Sequence, residues 1–402
     1  MNIKRMLSKA QDVKITDYFS AFPMTAGLIL APFFKKKYSN TWGIGERKTE
    51  ARDNGYHFYK YMLKKHPEQK CIYVIDKKSR DYRKVKNHGE IVQPGTIKHW
   101  ILYFTCQYLI SSQSFKPNGY ICTFFERAGL FRPHHVFLQH GITINKPEYL
   151  RADLRKAEYF MTVTPQETDF VAQELGYGSQ RVFMTGFPRF DALHNHRAAA
   201  NRVFIMPTWR KWLKLKSEEH SDAGGDILSS EYIKYWKELL TSEKLQSIAD
   251  ELNLEIVFYP HPNFKGVIDT KALVGRNVRV ADIENEDIQK LMLDSKVLIT
   301  DYSSVFFDMV YMKRPVIFFQ FDEEKFRKYH YEQGWFDYHK TAFGKIFVDP
   351  EDVVDELKEI ADADFRVSEA LMDEHEKTFP LYDNRNSERV YRVLRGEYSQ
   401  RH

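Results

Sequence analysis

The amino-acid sequence predicts an α/β protein with two doubly wound domains, each built on a parallel sheet. Short apolar runs rich in β-branched residues alternate with helical patterns along the whole chain, which is typical of such sheets. The 402 residues are too many for one ordinary core. A composition break at residues 191–202 divides the runs into two series. We therefore expect one domain over residues 1–195, a second over residues 196–402, and a ligand-binding cleft between them.

The first half contains four short runs that predict buried strands, CIYVID (71–76), YLIS (108–111), VFL (136–138) and YFMTV (159–163). A helix is predicted over NGYHFYKYMLKKH, just before the first of these strands. Another helix is predicted after the last strand, with Thr164 as its N-cap and Pro165 at its first position. Gly176 follows the end of that helix, as helix-terminating glycines often do.

The apolar stretch from Ala21 to Phe34 has 14 residues and two prolines, which is too short for a membrane span. Lys35, Lys36 and Lys37 follow directly. We interpret it as a buried first strand with a charged exit, and a contact with the membrane surface by a lead covering residues 1–40 is the alternative. The basic run at 76–86 would either extend that surface or form a solvated loop.

In the second half, strands are predicted at VFIMP and LEIVFYP, with a long helix near residues 232–253 before the latter. The run VLITDYSSVFFDMVYMKRPVIFF then predicts strand, polar turn, helix and strand. Asp301, Ser303 and Ser304 fall where the helix would begin, and such residues favour helix N-caps. A hydroxyl-rich turn at the carboxyl end of a parallel strand is suited to bind phosphate, and an ordinary capped helix is the alternative.

Composition excludes several classes of protein. The formal charge of +5, from 60 basic and 55 acidic residues, does not indicate a nucleic-acid partner. Three cysteines without metal-ligand spacing are expected to be reduced core residues of a cytoplasmic protein. The chain has no Walker A loop, GxGxxG or GxSxG motif, which disfavours P-loop ATPases, dinucleotide dehydrogenases and α/β-hydrolases.

Polar residues recur where predicted strands end. His140 and His261 each come just after a strand, and Thr208 and Arg210 follow the strand VFIM. Gly141 would let the backbone beside His140 approach another group closely. Neither histidine has a partner at metal-ligand spacing, so we predict no metal site. A histidine so placed is suited to act as a general base or to stabilise phosphate charge.

Five motifs in order, QHG, GFPRFD, MPTWR, YPHP and TDYSSVFFD, resemble the CDP-glycerol glycerophosphotransferase family of teichoic-acid and capsule enzymes. The similarity runs from about Trp42 to Asp383. The resemblance implies a GT-B-type fold, no cofactor, and transfer of a polyol phosphate from CDP-glycerol or CDP-ribitol. This chain has QHG where many members have WHG, and it has Ala342-Phe343-Gly344 near the position where many members have a proline-glycine pair. We also expect the chain to lack the additional long domain of the polymerising wall-teichoic members.

The resemblance assigns roles to the strand-end residues. His140 would be the catalytic base for the acceptor hydroxyl, and His261 would contact the donor phosphates or assist the same step. The remaining site residues would bind the CDP donor, namely Asp301, Ser303, Ser304, Thr208, Arg210 and Gly141.

The function expected on this basis is transfer of glycerol phosphate or ribitol phosphate to a hydroxyl of a lipid-linked or glycan acceptor, with release of CMP. The enzyme would build a teichoic-acid-like or capsular polymer, in the cytoplasm and peripherally on the inner face of the cell membrane. A GT-B glycosyltransferase that uses a nucleotide sugar is the first alternative. A non-catalytic member that binds nucleotide or polymer as a scaffold is the second.

Overall fold

Two parallel sheets form the framework of the computed structural model, which describes residues 20–129, 131, 133–213, 227–264 and 268–398. The seven strands of the first sheet are β1 (Trp42–Gly45), β2 (Cys71–Val74), β3 (Glu90–Val92), β4 (Tyr108–Ser111), β5 (His134–Phe137), β6 (Tyr159–Thr162) and β7 (Val182–Met184). The six strands of the second are β8 (Arg202–Met206), β9 (Glu255–Phe258), β10 (Val278–Val280), β11 (Val297–Thr300), β12 (Val316–Phe319) and β13 (Gly344–Phe347).

The strand order is β3-β2-β1-β4-β5-β6-β7 in the first sheet and β10-β9-β8-β11-β12-β13 in the second. Every pairing within them is parallel. The order reverses between β1 and β4 and again between β8 and β11, and ligands of such sheets bind outside the strands' carboxyl ends at these switch points. The predicted GT-B-type fold of two doubly wound domains is therefore confirmed.

Helices cover the faces of both sheets. Those before β8 are α1 (Ala21–Tyr38), α2 (Asn54–Lys65), α3 (Ile97–Thr105), α4 (Gly119–Ala128), α5 (Ala152–Arg155), α6 (Pro165–Gln173) and α7 (Phe190–Leu193). Those after it are α8 (Glu231–Thr241), α9 (Glu243–Glu251), α10 (Ile288–Asp294), α11 (Phe306–Tyr311), α12 (Glu323–Tyr329), α13 (Pro350–Asp362), α14 (Glu369–Thr378) and α15 (Asn386–Leu394).

The two domains share part of their apolar core. Ile142, Phe187 and Phe190 of the first domain pack in one cluster with Phe306 and Phe307 of the second. The last helix, α15, returns to the first domain, where Val390, Val393 and Leu394 join the core under β1 and α2. The end of the described chain therefore packs against the first domain.

The prediction of a buried first strand is wrong, because Ala21–Tyr38 is an 18-residue helix. Gly27 lets it pack closely, since a Cβ there would lie 2.5 Å from the Cβ of Trp100 on α3. Several large apolar side chains of α1 remain in solvent, including Phe22 (75% exposed), Ile29 (63%) and Phe33 (81%). Among the described residues, no helix combines the length and apolarity needed to cross a bilayer.

Two further predictions change in the structure. The long helix near residues 232–253 is two helices, because the Ser242 hydroxyl accepts from the amide of Leu245 and starts α9. The basic run at 76–86 is not a free loop at its centre. Arg80 donates to Asn285 at 2.8 Å and Lys84 pairs with Asp287 at 3.0 Å, so the run contacts the second domain.

Candidate active site

A cleft of about 420 Å³ lies between the carboxyl ends of the two sheets. Its lining includes six of the eight predicted site residues, His140, Gly141, Thr208, His261, Ser303 and Ser304. The two domains contribute opposite walls, because the first two residues follow β5 and the others follow β8, β9 and β11. Residues separated by up to 164 positions in the sequence, His140 and Ser304, are thus brought to one site.

The loop that carries His140 is held by buried hydrogen bonds on both sides. Gln139 adopts a left-handed backbone conformation with φ of 58°. Its amide donates to the carbonyl of Met161 at 2.7 Å and to the carboxylate of Glu167 at 3.0 Å. The side-chain amide of Asn54 donates to the carbonyl of Gln139 at 2.8 Å. This network fixes the turn after β5 and directs the next residue, His140, into the cleft.

His140 is solvent-accessible on its cleft side, and its ring makes no hydrogen bond with any described residue. Desolvation by the cleft walls lowers the pKa of His140 to about 4, and the positive charges of Arg189, Arg47 and Arg155 act in the same direction. The imidazole is therefore neutral at pH 7. A neutral, unpaired imidazole in a cleft can accept a proton from a bound hydroxyl.

Gly141 allows the two walls to meet. A Cβ at this position would lie 2.7 Å from the hydroxyl oxygen of Ser304 in the opposite wall. Ser304 and Ser303 precede α11, whose N-cap is Val305 without a side-chain cap bond, so the predicted capping by Asp301, Ser303 or Ser304 is wrong. Because α11 has only six residues, the serine side chains, rather than a helix dipole, are the groups offered to an anion.

His261 faces the same cleft from the second domain. The backbone amide of Asn263 donates to its Nδ1 at 3.2 Å, which places the proton of the neutral ring on Nε2. The ring also stacks on Trp209, with centroids 5.9 Å apart. Burial lowers the pKa of His261 to about 4, with a further contribution from Arg47. The side chain is thus oriented to donate one hydrogen bond to a ligand.

Asp301 and Arg210 lie under the cleft and do not line it, contrary to the direct donor contacts expected for them. Both side chains are fully buried, and Nη1 of Arg210 lies 2.9 Å from the carboxylate of Asp301. Arg210 also makes a bidentate pair with Asp322, at 2.8 and 2.9 Å. The amides of Thr208 and Tyr302 donate to Asp301. The charges of Arg210 and Asp301 are therefore paired with buried protein groups rather than offered to a ligand. The pair positions the loops after β8 and β11 at the switch point.

Two cleft residues of the second domain, Lys211 and His330, were not predicted from the sequence. The backbone amide and Nζ of Lys211 donate to Nδ1 and to the carbonyl of His330, at 3.1 and 2.8 Å. Burial lowers the pKa of His330 to about 3, with Lys211 and Arg210 adding to the effect. Lys211 follows the MPTWR motif directly, and that adjacency was the available signal. His330 directly follows α12, more than 100 residues later in the chain.

A buried ion pair joins the two domains beside the site. Arg189 of the GFPRFD motif donates through Nε and Nη2 to both carboxylate oxygens of Asp308, at 2.8 and 2.7 Å. It also lies 3.3 Å from Asp53. The backbone amide of Arg189 donates to Asn54, which supports the His140 loop. The GFPRFD and TDYSSVFFD motifs are therefore linked through the interdomain contact as well as through the cleft.

Within the described residues, no group of three or more His, Cys, Asp or Glu side chains could hold a metal ion. Cys71, Cys106 and Cys122 are all free thiols, and burial raises the pKa of each. Among the described residues that line the cleft, Lys211 carries a positive charge, and the three histidines contribute neutral rings.

The family model described as CDP-Glycerol:Poly(glycerophosphate) glycerophosphotransferase matches residues 31–396 of the chain. The chain belongs to this glycerophosphotransferase family. The motifs that suggested the family in the sequence are the segments that form the cleft and its supports, so the resemblance is confirmed.

Among curated relatives of this glycerophosphotransferase chain, the minor teichoic acid biosynthesis protein GgaB of Bacillus subtilis is 28% identical over 88% of the chain. A teichoic acid poly(glycerol phosphate) polymerase of the same organism is 23% identical over 84% of the chain. The chain spans 39% and 46% of the lengths of these relatives. A solved structure of the wall teichoic acid polymerase TagF, a variant soaked with CDPG, has a TM-score of 0.66 at 18% identity, covering 96% of this chain and 98% of that one.

Proposed function

We propose that the protein transfers glycerol phosphate or ribitol phosphate from its CDP-activated form to a hydroxyl of a lipid-linked or glycan acceptor. The single observation that carries this proposal is the opposition of His140 to Ser303, Ser304 and His261 across one cleft, in a chain of the glycerophosphotransferase family. A base on one wall and anion-binding groups on the other are what such a transfer requires. The product would extend a teichoic-acid-like or capsular polymer.

In this mechanism the donor lies on the second domain, with its diphosphate between the two serines, Lys211 and His261. The acceptor hydroxyl enters from the first domain and gives its proton to the ring of His140. Its oxygen attacks the β-phosphorus, a new P–O bond forms, and the bond to the bridging oxygen breaks. CMP leaves with that electron pair. Nε2–H of His261 is placed to stabilise the charge that develops on the phosphate oxygens.

The protein groups themselves supply the positive charge in this account. Lys211 and the histidine N–H donors face the diphosphate, while Arg210 and Asp301 hold the loops from below. Thr208, whose amide is bound to Asp301, is the donor-side residue that links this support to the cleft. No step requires a metal ion or a cofactor.

The membrane surface is the proposed place of action, on its inner face. The exposed apolar side chains of α1 precede Lys35, Lys36 and Lys37 in the last turn of that helix. An apolar surface next to lysines is suited to anionic lipid. Such a contact would bring the cleft near a lipid-linked acceptor.

The decisive experiment compares donors. Purified protein is incubated with CDP-glycerol, CDP-ribitol, UDP-glucose and UDP-N-acetylglucosamine, each with a polyol phosphate acceptor, in EDTA and in Mg²⁺. We expect release of CMP and a lengthened acceptor with a CDP-polyol, at similar rates in both buffers. Turnover of a UDP-sugar alone would establish the glycosyltransferase alternative. Tight CDP-polyol binding without any turnover would establish the scaffold, and activity restored only by Mg²⁺ would contradict the metal-free mechanism.

A further inference from the structure

A second cavity, of about 240 Å³, lies wholly in the first domain beyond the carboxyl ends of β4 and β5. It is next to the switch point of the first sheet and shares Phe137 and Tyr149 with the cleft. Its polar lining includes Ser111, Gln113, Lys116, His135 and Arg155. The proposed transfer does not use any of these residues on the donor side, so the cavity is open to another role.

Arg155 is the charged group at the centre of this second cavity. Its guanidinium stacks on Phe137, with 3.5 Å between Cζ and the ring centroid. Nη2 donates to the carbonyl of Gln113 at 2.7 Å. In the part of the chain that the structure describes, no carboxylate lies within ion-pair distance of Arg155. Burial lowers its pKa to about 10, so the group is still charged at pH 7.

Behind the lining of the cavity lies the carboxylate of Glu126, and its charge is already paired with lining residues. Glu126 is buried and accepts from Lys116 at 2.7 Å and from Tyr103 at 3.0 Å, and its other contact is with His135 at 3.1 Å. Burial alone would raise the pKa of Glu126, but His135 and Lys116 lower it to about 2. The unpaired guanidinium therefore leaves the cavity with an excess of positive charge, which suits an anion.

The position of the cavity between α1 and His140 points to the acceptor. At its outer edge, Asn118 follows the cavity residues Lys116 and Pro117, and its amide donates to Ser20 just before α1 at 3.2 Å. At its inner edge, the cavity shares two lining residues with the cleft, Tyr149 and Phe137, and Phe137 lies three residues before His140. A chain arriving from the surface covered by α1 would cross this cavity before its end reached the base.

We propose that this cavity binds the phosphate ester of the acceptor's terminal polyol phosphate unit, with Arg155 as the principal anion-binding side chain. This inference rests on the proposed function and assigns the acceptor half of the same site. The stack on Phe137 holds the guanidinium plane, so that its remaining N–H groups face a phosphate without loss of side-chain freedom on binding. The attacking hydroxyl of the same unit would then reach His140 past Phe137 and Tyr149, the residues that line both the cavity and the cleft.

The test measures the binding of glycerol 3-phosphate, of glycerol and of CDP-glycerol in separate titrations. Calorimetry gives the Kd of each compound for the parent protein, Arg155→Met and Arg151→Met. Arg151 is the matched control, because it lies one turn earlier, is exposed and pairs with Asp153. Arg155→Met should weaken glycerol 3-phosphate binding about ten- to hundredfold, as expected for charge-assisted hydrogen bonds, and should leave the CDP-glycerol Kd unchanged. Arg151→Met should change neither.

Kinetics give the second readout. The parent should prefer glycerol 3-phosphate over glycerol as an acceptor by at least about tenfold in kcat/KM, and Arg155→Met should abolish that preference mainly through KM. Arg155→Lys, which keeps the charge without the planar stack, should recover part of it. If Arg155→Met is folded and keeps the preference, or if glycerol 3-phosphate binding is merely competitive with CDP-glycerol and independent of Arg155, the assignment is overturned. Failure of the parent to bind or use any CDP-polyol would instead refute the proposed function.

Discussion

At the scale of single residues, the positions of the two site histidines could be predicted from the sequence, but the partners of Arg210 could not. His140 and His261 could be chosen because each follows a predicted strand, and the structure places both in the cleft. Arg210 was expected on phosphate because arginine suits phosphate, but its partner Asp322 is 112 residues away and invisible to local pattern. The burial of the Arg210 guanidinium depends on the three-dimensional arrangement, in which the carboxyl ends of β8 and β12 lie close together.

The lowered pKa of His140 leads to a prediction about pH. The ordinary pKa of a histidine is 6.5, and cleft desolvation with neighbouring arginines brings that of His140 to about 4. The base is therefore unprotonated, and active, from neutral pH down to about pH 5, and is lost as the pH falls through about 4. We expect kcat/KM for a CDP-polyol to be flat from pH 8 to pH 5.

The profile of kcat should fall at a higher pH than that of kcat/KM. The bound diphosphate adds negative charge near His140 and raises its pKa in the complex. Steady-state kinetics over this pH range check both expectations. A limb of kcat/KM centred near pH 6.5 would show that the free-enzyme base is an ordinary, well-solvated histidine.

At the scale of secondary-structure elements, strands were predicted better than helix boundaries. YLIS matches β4 residue for residue, because a short β-branched run between polar ends is compatible with few other structures. The Thr164 cap and Pro165 start of α6 are confirmed, since Thr164 accepts from the amide of Glu167. The strand assigned to Ala21–Phe34 is wrong because its apolar residues are not buried by a sheet, and that fact depends on the surroundings of α1.

The buried triad below the switch point leads to a stability prediction. Arg210 joins Asp301 to Asp322 with both carboxylates almost completely buried, so Arg210→Met leaves two uncompensated negative charges. Breaking such a pair from one side destabilises by about 3–5 kcal/mol. Denaturant unfolding of Arg210→Met and of Arg276→Met, which removes an exposed pair with Asp250, measures the difference.

We expect Arg210→Met to lower the unfolding free energy greatly and Arg276→Met to change it little, since exposed pairs contribute little. Equal, small effects of the two substitutions would show that the triad does not hold the loops after β8 and β11.

At the scale of the whole molecule, the family motifs are explained by the meeting of two domains. The return of α15 to the first domain could not be predicted from the sequence, because its partners β1 and α2 lie more than 300 residues earlier. The Arg189–Asp308 pair was likewise unpredictable, although both residues stand inside quoted motifs. Sequence order alone does not show which motifs touch.

The orientation of the molecule on a membrane is tested by charge reversal. The double variant Lys36→Glu with Lys37→Glu should co-sediment less with anionic vesicles. The free energy of vesicle binding should weaken by about 1 kcal/mol for each lysine removed, and more at low salt than at high salt. Lys64→Glu with Lys65→Glu is the matched control, since those lysines end α2 and are also exposed. CDP-glycerol binding should be unchanged in both. If the two double variants bind vesicles alike, α1 is not the membrane contact.

In the proposed mechanism, His140 removes the acceptor proton during transfer from a CDP-polyol. The most direct measurement is the rate of labelled polyol phosphate transfer by the parent, by His140→Ala and by the control His134→Ala. His134 is an exposed histidine at the start of β5, the strand that precedes His140. We expect a loss of about 10²-fold or more in kcat for His140→Ala, an unchanged donor Kd, and near-parent activity for His134→Ala. Near-parent turnover by a folded His140→Ala protein would contradict this mechanism.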